Sequence, residues 1–586
     1  MKPRVQSLLQ RSATRLTNPL KFHSGLVESF AQSCNVAEHP LVSKLIGNLR
    51  SRSYGAAVQL AGSIGETVYT DVTEHFVMNQ LAALVKKVPF EDPSLTPEAT
   101  AWKKFLAAEH SCKRTNQRLI AEKKVYPRVP RHNALREVAR VWIEGVIGRE
   151  PNLPKIYEGC DFGPGASLGV HGEATHKAAK LCAEKWSTTA VGACYSRSAM
   201  MGDHHIWEYL QKREIVCYDP VSFQDLFSSQ IEVRNANKII MVPKTAKVHR
   251  TIAIEPLLNG YVQKGVDLEL RKKLRHIGLD LENQELNQLL AKQGSAGGFN
   301  SFSTIDLSAA SDSLSIETVR DLLPPDWFDL LNNLRSPNYE SEWGSGRFHK
   351  FVSMGNGFCF PLETLIFASI AYAVGTVTGD SEFRVYGDDI IVRQRSALLV
   401  IEILKFYGFS TNTDKTFLFG PFRESCGADY FNSINVRPYN LDFVPLTDRD
   451  IYKVANGLRG NKFFVPVGAI AYATAFIPYG DVLCRPFAGP PDTALEVSMP
   501  VFQASRFSKW CKGIQTWTWL EYVSTALTDD RHPPSSVQMY GLLRGQRSSQ
   551  NGSPEFAFRR KTRTSTRMFR VGLWCEYLTP QFFIFA

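Results

Sequence analysis

Two aspartates stand side by side at Asp388 and Asp389, within the run Glu382-Phe383-Arg384-Val385-Tyr386-Gly387-Asp388-Asp389-Ile390-Ile391-Val392. Residues 382–386 alternate as a strand does, Gly387-Asp388 has turn chemistry, and 389–392 resumes as a strand, so the run predicts a tight hairpin. Neighbouring carboxylates on an otherwise apolar hairpin repel, and each raises the other's pKa unless a cation sits between them. An isolated Asp-Asp pair ordinarily marks no more than an exposed turn. The strongly apolar flanks, and further motifs placed in order along the chain, argue here for chemistry.

A divalent ion relieves that repulsion. Mg²⁺ favours hard oxygen ligands and is usually held by a few carboxylates together with substrate phosphates, so a third carboxylate is expected from elsewhere. Asp306 is the candidate: it ends the short run Ser303-Thr304-Ile305 and precedes Leu307-Ser308-Ala309-Ala310-Ser311-Asp312, a composition suited to a strand-to-helix corner. Asp306, Asp388 and Asp389 are thus the expected ligands of two Mg²⁺ ions, with Mn²⁺ as an alternative metal. Ions about 3.5 to 4 Å apart would activate an attacking 3′-hydroxyl and steady a leaving pyrophosphate.

Other motifs fit the same chemistry. In Val242-Pro243-Lys244-Thr245-Ala246-Lys247-Val248-His249-Arg250 the cations Lys244, Lys247 and Arg250 recur every third residue. That spacing predicts one charged side of an extended or loosely helical segment, able to cradle a triphosphate. Ser353-Met354-Gly355-Asn356-Gly357 reads as a loop whose glycines, Gly355 among them, permit close backbone approach, while Asn356 supplies a donor and an acceptor. With Asp312, Asn356 is placed to recognise a ribose 2′-hydroxyl. Lys415, one predicted helix beyond the hairpin, is a candidate proton donor to departing pyrophosphate.

The elements that must position these residues are also visible. Residues 1 to about 230 read as mostly helical, with helices predicted over Pro97 to Glu122 and Ala134 to Ile147 and a turn at Gly163-Pro164-Gly165. Between about 230 and 440, short apolar runs ending in Asp or Gly interleave with helical patterns such as Phe358 to Val377, the texture of an α+β region. Beyond 440 proline and aromatic residues rise. The last segment places Phe556, Phe558 and Phe569 among Arg559, Arg560, Lys561, Arg563, Arg567 and Arg570, a composition that suits either a single nucleic-acid strand or a solvated tail.

Composition narrows the classes. The 586 residues, 44% hydrophobic, are enough for several cores. A net charge of +11 suits a polyanionic partner without proving one. Eleven cysteines show no Cys-x-x-Cys pair and no regular ladder, against both a zinc ribbon and a disulfide framework and in favour of a reducing compartment. No stretch approaches the uninterrupted apolar length of a membrane span, so no membrane association is expected.

Taken together, Val242-Pro243-Lys244 through Ile254-Glu255-Pro256, Asp306 through Ser313, Met354 through Gly357, Tyr386 through Asp389 and Gly420-Pro421-Phe422-Arg423-Glu424-Ser425-Cys426-Gly427 resemble the motifs of the RNA-bacteriophage replicases, catalytic subunits of the Qβ type. The resemblance covers roughly 240 to 440. It implies an RNA-directed RNA polymerase with a right-hand fold of fingers, palm and thumb, whose antiparallel palm sheet bears the hairpin. It further implies a helical N-terminal and fingers region over 1–230, a fingers-palm core over 231–440 and a thumb or C-terminal region over 441–586. RNA template and product, ribonucleoside triphosphates, host elongation factors Tu and Ts, a ribosomal RNA-binding protein and the cytoplasm of a bacterial host come with it.

Three other readings fit parts of the sequence. The basic, acid-free first 27 residues, with Lys2, Arg4, Arg11, Arg15 and Lys21, would suit a mitochondrial virus polymerase. A reverse transcriptase also tolerates Tyr-x-Asp-Asp but carries an aromatic gate after its first catalytic aspartate, where this chain is small and polar. A non-catalytic RNA-binding module would rest on charge alone.

Overall fold

The computed structural model describes residues 16–124, 130–170, 177–181, 183–212, 219–460, 463–478, 480–486, 489–513, 516–526, 564–576 and 579–585. The basic cluster from Arg559 to Arg563, with Phe556 and Phe558, lies outside them, as do Lys2, Arg4, Arg11 and Arg15.

Helices dominate up to Gln230, where the one described strand is Trp186–Thr188. The long helix Pro97–Glu122 forms over the predicted span, opened by a proline in its first turn, where the missing N–H has no helical partner to lose. Its buried residues, Ala101, Phe105, Cys112 and Leu119 among them, recur at helical spacing along one face.

Two large apolar cores form, and one of them joins distant parts of the chain. The first gathers residues from Leu119 to Phe409 around the helix Cys359–Thr378, whose sides are buried almost all round. The second packs the helices Pro19–Ser33, Pro40–Arg50, Tyr54–Glu66 and Val72–Ala83 against Asp448–Arg459 and Val467–Thr474. Close helix approach there depends on missing side chains: a Cβ at Gly25 would strike the Tyr472 ring, and one at Gly468 the Ser33 hydroxyl.

Among the described residues Cys359–Thr378, the helix expected over Phe358 to Val377, is long and apolar enough to cross a membrane by length and composition, contrary to the expectation that no stretch would be. Most of it is buried inside the fold, and packing between neighbouring elements accounts for its apolar character.

Small sheets carry the polar motifs. A three-stranded antiparallel sheet sets Asp389–Arg393 between Phe302–Ile305 and Phe383–Tyr386. A four-stranded sheet runs in the order His249–Ile254, Ala236–Pro243, Asn338–Ser341, Gly344–Arg347. A third, of three strands, contains Phe422–Ser425 and Ala428–Phe431. Arg423, fully buried, ties this third sheet to the first: its Nε donates to the Phe302 carbonyl at 2.7 Å, and its Nη1 donates to the Phe422 carbonyl at 2.6 Å. Among the described residues this guanidinium is held by carbonyls with no acid paired to it, and burial pulls it down to about 10.

Candidate active site

The hairpin closes as its residues dictate. Tyr386 pairs with Asp389 and Val385 with Ile390, leaving Gly387-Asp388 as a two-residue turn. Gly387 has φ +61, the left-handed value required at the first central position of a type II′ turn. The turn is docked as well as closed. The Gly387 N–H donates to Thr364 Oγ1 at 2.9 Å, a Cβ on Gly387 would collide with the Phe360 ring, and that ring packs edge-on against Tyr386 at 5.0 Å. The apolar helix thereby fixes where the two carboxylates stand.

Asp306 arrives by register. Ile305 pairs with Ile390 across the sheet, so the next residue, Asp306, stands opposite Asp389. The segment after the helix Gln394–Phe406 then wraps alongside it: Thr304 and Phe417 exchange backbone bonds at 3.1 and 2.8 Å, and the Asn412 N–H donates to the Asp306 carbonyl at 2.9 Å. Asn412 Nδ2 also donates to Asp306 Oδ2 at 2.9 Å. This wrapping brings Lys415 into the group, where its Nζ donates to Glu424 Oε1 at 3.2 Å.

Asp306, Asp388, Asp389 and Lys415 line a cleft of about 1030 Å³ together with Lys244, Arg250, Asp312, Gly355 and Asn356. The electrostatics are those of crowded anions. Burial pushes the Asp389 carboxyl up to about 6, Asp388 adds to the push, and the Cys426 N–H, 3.3 Å from Oδ2, works against it. Burial likewise raises Asp306, opposed by Lys415 and Asn412 and reinforced by Asp388. Lys244 is lowered by burial, by Arg250 and by Lys415, while Asp306 and Asp388 oppose the fall. For Lys415 burial acts downward, but Glu424 and Asp306 outweigh it and the net movement is up.

The basic motif differs from expectation. Pro243 pairs with His249 and Val242 with Arg250, so Val242 to Arg250 is a second hairpin rather than one charged side of a single segment. Its turn is made by Thr245, whose N–H donates to the Val248 carbonyl at 3.1 Å and whose Oγ1 accepts the Val248 N–H at 3.2 Å. Folding back places Lys244 and Arg250 together in the cleft. Lys247, at the turn, leaves the group: its Nζ lies beside Gly62, and Glu66 is the acid that acts on it.

Asp312 and Asn356 both line the cleft, yet each already has a partner. Lys350 Nζ donates to Asp312 Oδ1 at 2.6 Å, and Asn356 Oδ1 accepts the Phe358 N–H at 3.1 Å. Gly355, φ +108, has no room for a Cβ against the Ala253 backbone, which brings its loop onto the strand carrying Arg250.

Several lining residues had no assigned part in the sequence analysis. Glu363 is the clearest. It is fully buried on the apolar helix, held up to about 8 chiefly by burial, with Ser311 opposing and Asp388 contributing. A lone acid inside an otherwise apolar helical run was a visible signal. Glu424 and Cys426 lay within a recognised string but carried no role, and Lys350 and Glu109, behind the cleft, gave no sign in the sequence.

The donor set suits a hard divalent cation: Asp306 and Asp389 are both raised in part by Asp388, a repulsion such an ion would relieve. Among the described residues no three Asp, Glu, His or Cys side chains already converge as a metal cage. That is the usual situation for Mg²⁺, which takes one or two carboxylates and completes its shell with water and substrate phosphates.

The chain is 36% identical over 402 residues to the RNA-directed RNA polymerase subunit beta of Escherichia virus Qbeta, covering 66% of this chain and 62% of that one. It is 38% identical over 374 residues to the subunit of the same name from Enterobacteria phage SP, covering 61% and 59%. The aligned region thus spans about three fifths of the length of these relatives. An in situ structure of the BmCPV RNA-dependent RNA polymerase at elongation state aligns over 80% of this chain and 46% of that one with a TM-score of 0.36 and 11% identity, too slight a likeness to bear on the fold. The family described as RNA replicase, beta-chain, matches residues 59–464. With that match across more than half its length, the chain belongs to the RNA replicase beta-chain family.

Proposed function

We propose that the cleft carries out template-directed RNA synthesis from ribonucleoside triphosphates, replicating a phage RNA genome. The observation that carries the reading is the meeting of Asp306, at a strand end, with the Asp388-Asp389 hairpin in one cleft that also holds Lys244 and Arg250. Carboxylates for metal and cations for phosphate on facing elements are what nucleotidyl transfer requires. In the right-hand description, the three-stranded sheet with the hairpin is the palm, the region before it supplies fingers and the region after 440 the thumb.

Asp306, Asp388 and Asp389 would hold Mg²⁺, or Mn²⁺ in its place, which when bound activates the 3′-hydroxyl and offsets charge on the leaving pyrophosphate. The chain's own groups do the rest. Lys244 and Arg250, on the two arms of the basic hairpin and both lining the cleft, bind and orient the triphosphate. Asp312 and Asn356 meet the ribose, and Gly355 lets the backbone come close. Lys415, kept protonated by Glu424 and Asp306, donates to the departing pyrophosphate.

Family membership extends the proposal to work in the cytoplasm of a bacterial host with elongation factors Tu and Ts and a ribosomal RNA-binding protein. The test is incorporation of labelled ribonucleotides into an RNA-templated product by the purified chain, with those host proteins added. Mg²⁺-dependent product is expected, and chelation should abolish it. Product of equal yield in excess chelator would overturn the proposal.

A further inference from the structure

Lys350 stands behind Asp312, outside the residues assigned above. It is 1% exposed, and its Nζ donates to Asp312 Oδ1 at 2.6 Å. The ammonium also sits 4.1 Å over the Phe105 ring and 5.4 Å from the Phe348 ring, with Glu109 Oε1 at 3.9 Å. Both ends of this contact are fixed by backbone. Segment 349–351 pairs with 314–316 through Phe351 N–H to the Leu314 carbonyl at 2.7 Å and Ile316 N–H to the His349 carbonyl at 3.3 Å. Glu109 accepts the His349 N–H at 2.6 Å, and Cys112 Sγ–H donates to the Asp312 carbonyl at 3.3 Å.

Packing alone does not call for a charge here. An ion pair taken out of water is commonly no more stable than apolar residues of similar volume, and a methionine would fill the space between two phenyl rings. What the ammonium adds is direction. It occupies one oxygen of a carboxylate that lines the cleft beside Gly355 and Asn356, and Oδ2 becomes the oxygen a hydroxyl in the cleft would meet. Asn356 is oriented in the same way from its own side, since its Oδ1 is taken by the Phe358 N–H and its amide N–H groups are the ones left to donate.

We infer that Lys350, caged by Phe105, Phe348 and Glu109, is a positioning residue for sugar selection, setting the Asp312 carboxylate so that Oδ2 accepts a hydrogen bond from the 2′-hydroxyl of the incoming nucleotide. The inference rests on the reading of Asp312 as a ribose contact. A site built to bond a hydroxyl discriminates strongly against the analogue lacking it, because its own polar group is left unpaired. Loosening that group therefore erodes discrimination before it erodes folding.

The experiment compares kcat/KM for a ribonucleoside triphosphate with that for its 2′-deoxy counterpart on one RNA template, for the whole chain and four variants. Lys350→Met should lower the ribo-to-deoxy ratio by about ten- to hundredfold, the worth of one charge-assisted hydrogen bond, through loss on the ribonucleotide. Lys350→Arg should recover part of that ratio. Asp312→Ala should collapse the ratio, and Asp312→Ala/Lys350→Met should leave it where Asp312→Ala put it, because Lys350 acts only through Asp312. This last pair carries the test should the single Lys350→Met chain fail to fold. An unchanged ratio in folded Lys350→Met, an equal fall for both substrates, or a further fall in the double variant would each overturn the inference while leaving Asp312 in place. An unchanged ratio in Asp312→Ala would overturn the ribose reading itself, and this inference with it.

Discussion

Two hairpins face the same cleft and were legible to very different degrees. In the acidic hairpin, Phe383–Tyr386 with Asp389–Arg393, alternation, turn chemistry and function lie in one contiguous run, and the chain folds as that run reads. In the basic hairpin, Ala236–Pro243 with His249–Ile254, the cations at every third residue suggested one continuous charged side. Thr245 instead bonds to Val248 and turns the chain back, so Lys244 and Arg250 meet across strands while Lys247 faces Gly62 and Glu66. Spacing along a chain predicts proximity only within one regular element. A turn between charged residues replaces sequence period by strand register.

The difference can be broken experimentally, most sharply at Gly387. Gly387→Ala forces a side chain into a left-handed turn and into the Phe360 ring, and should lower nucleotide incorporation by at least about 100-fold while costing about 1 to 3 kcal/mol in thermal melting. The basic hairpin separates its own lysines. Lys244→Ala should raise the KM for nucleoside triphosphate about tenfold, whereas Lys247→Ala should stay within about twofold in steady-state assays; equal effects would contradict the geometry.

Smaller effects follow from how the acidic tip is held. Thr364→Val removes the acceptor of the Gly387 N–H and should cost about 1 to 2 kcal/mol in denaturant unfolding, with incorporation reduced rather than lost. Asp389 gives a pH signature. Its carboxyl moves from an ordinary 3.8 to about 6, through burial first and Asp388 second, so across that window the folded chain holds a proton that the unfolded chain has released. Stability contributed below 3.8 should therefore decline as pH rises through about 6 in the absence of divalent ions, a shift of a few degrees in Tm that Asp389→Asn removes.

What the sequence revealed was local. The helix Pro97–Glu122, the helix Cys359–Thr378 that was read as Phe358 to Val377, and the acidic hairpin are each set by periodicity and punctuation within one stretch. Asp306 was legible as a strand-end carboxylate, but its place opposite Asp389 is a matter of sheet register that no single run states. Lys350 could not be found that way, because its cage joins the neighbouring Phe348 to Asp312 and to Phe105 and Glu109 on the helix Pro97–Glu122, segments that only the fold brings together. The same holds for the core joining the first helices to residues 448–474, where contacts bridge nearly the whole sequence. Even so, Glu363 carried a sign that could have been read: an acid where the helical pattern called for an apolar residue.

The central claim is that Asp306, Asp388 and Asp389 perform the chemistry rather than merely closing a hairpin. Asp388→Asn tests it most directly, because Asp388 lies in the turn, where the substitution keeps shape and removes one charge. Templated ribonucleotide incorporation should fall by at least about 1000-fold while RNA binding, measured in parallel by salt-dependent retention, stays within about threefold. Incorporation retained at wild-type rate by a folded Asp388→Asn chain would contradict the account.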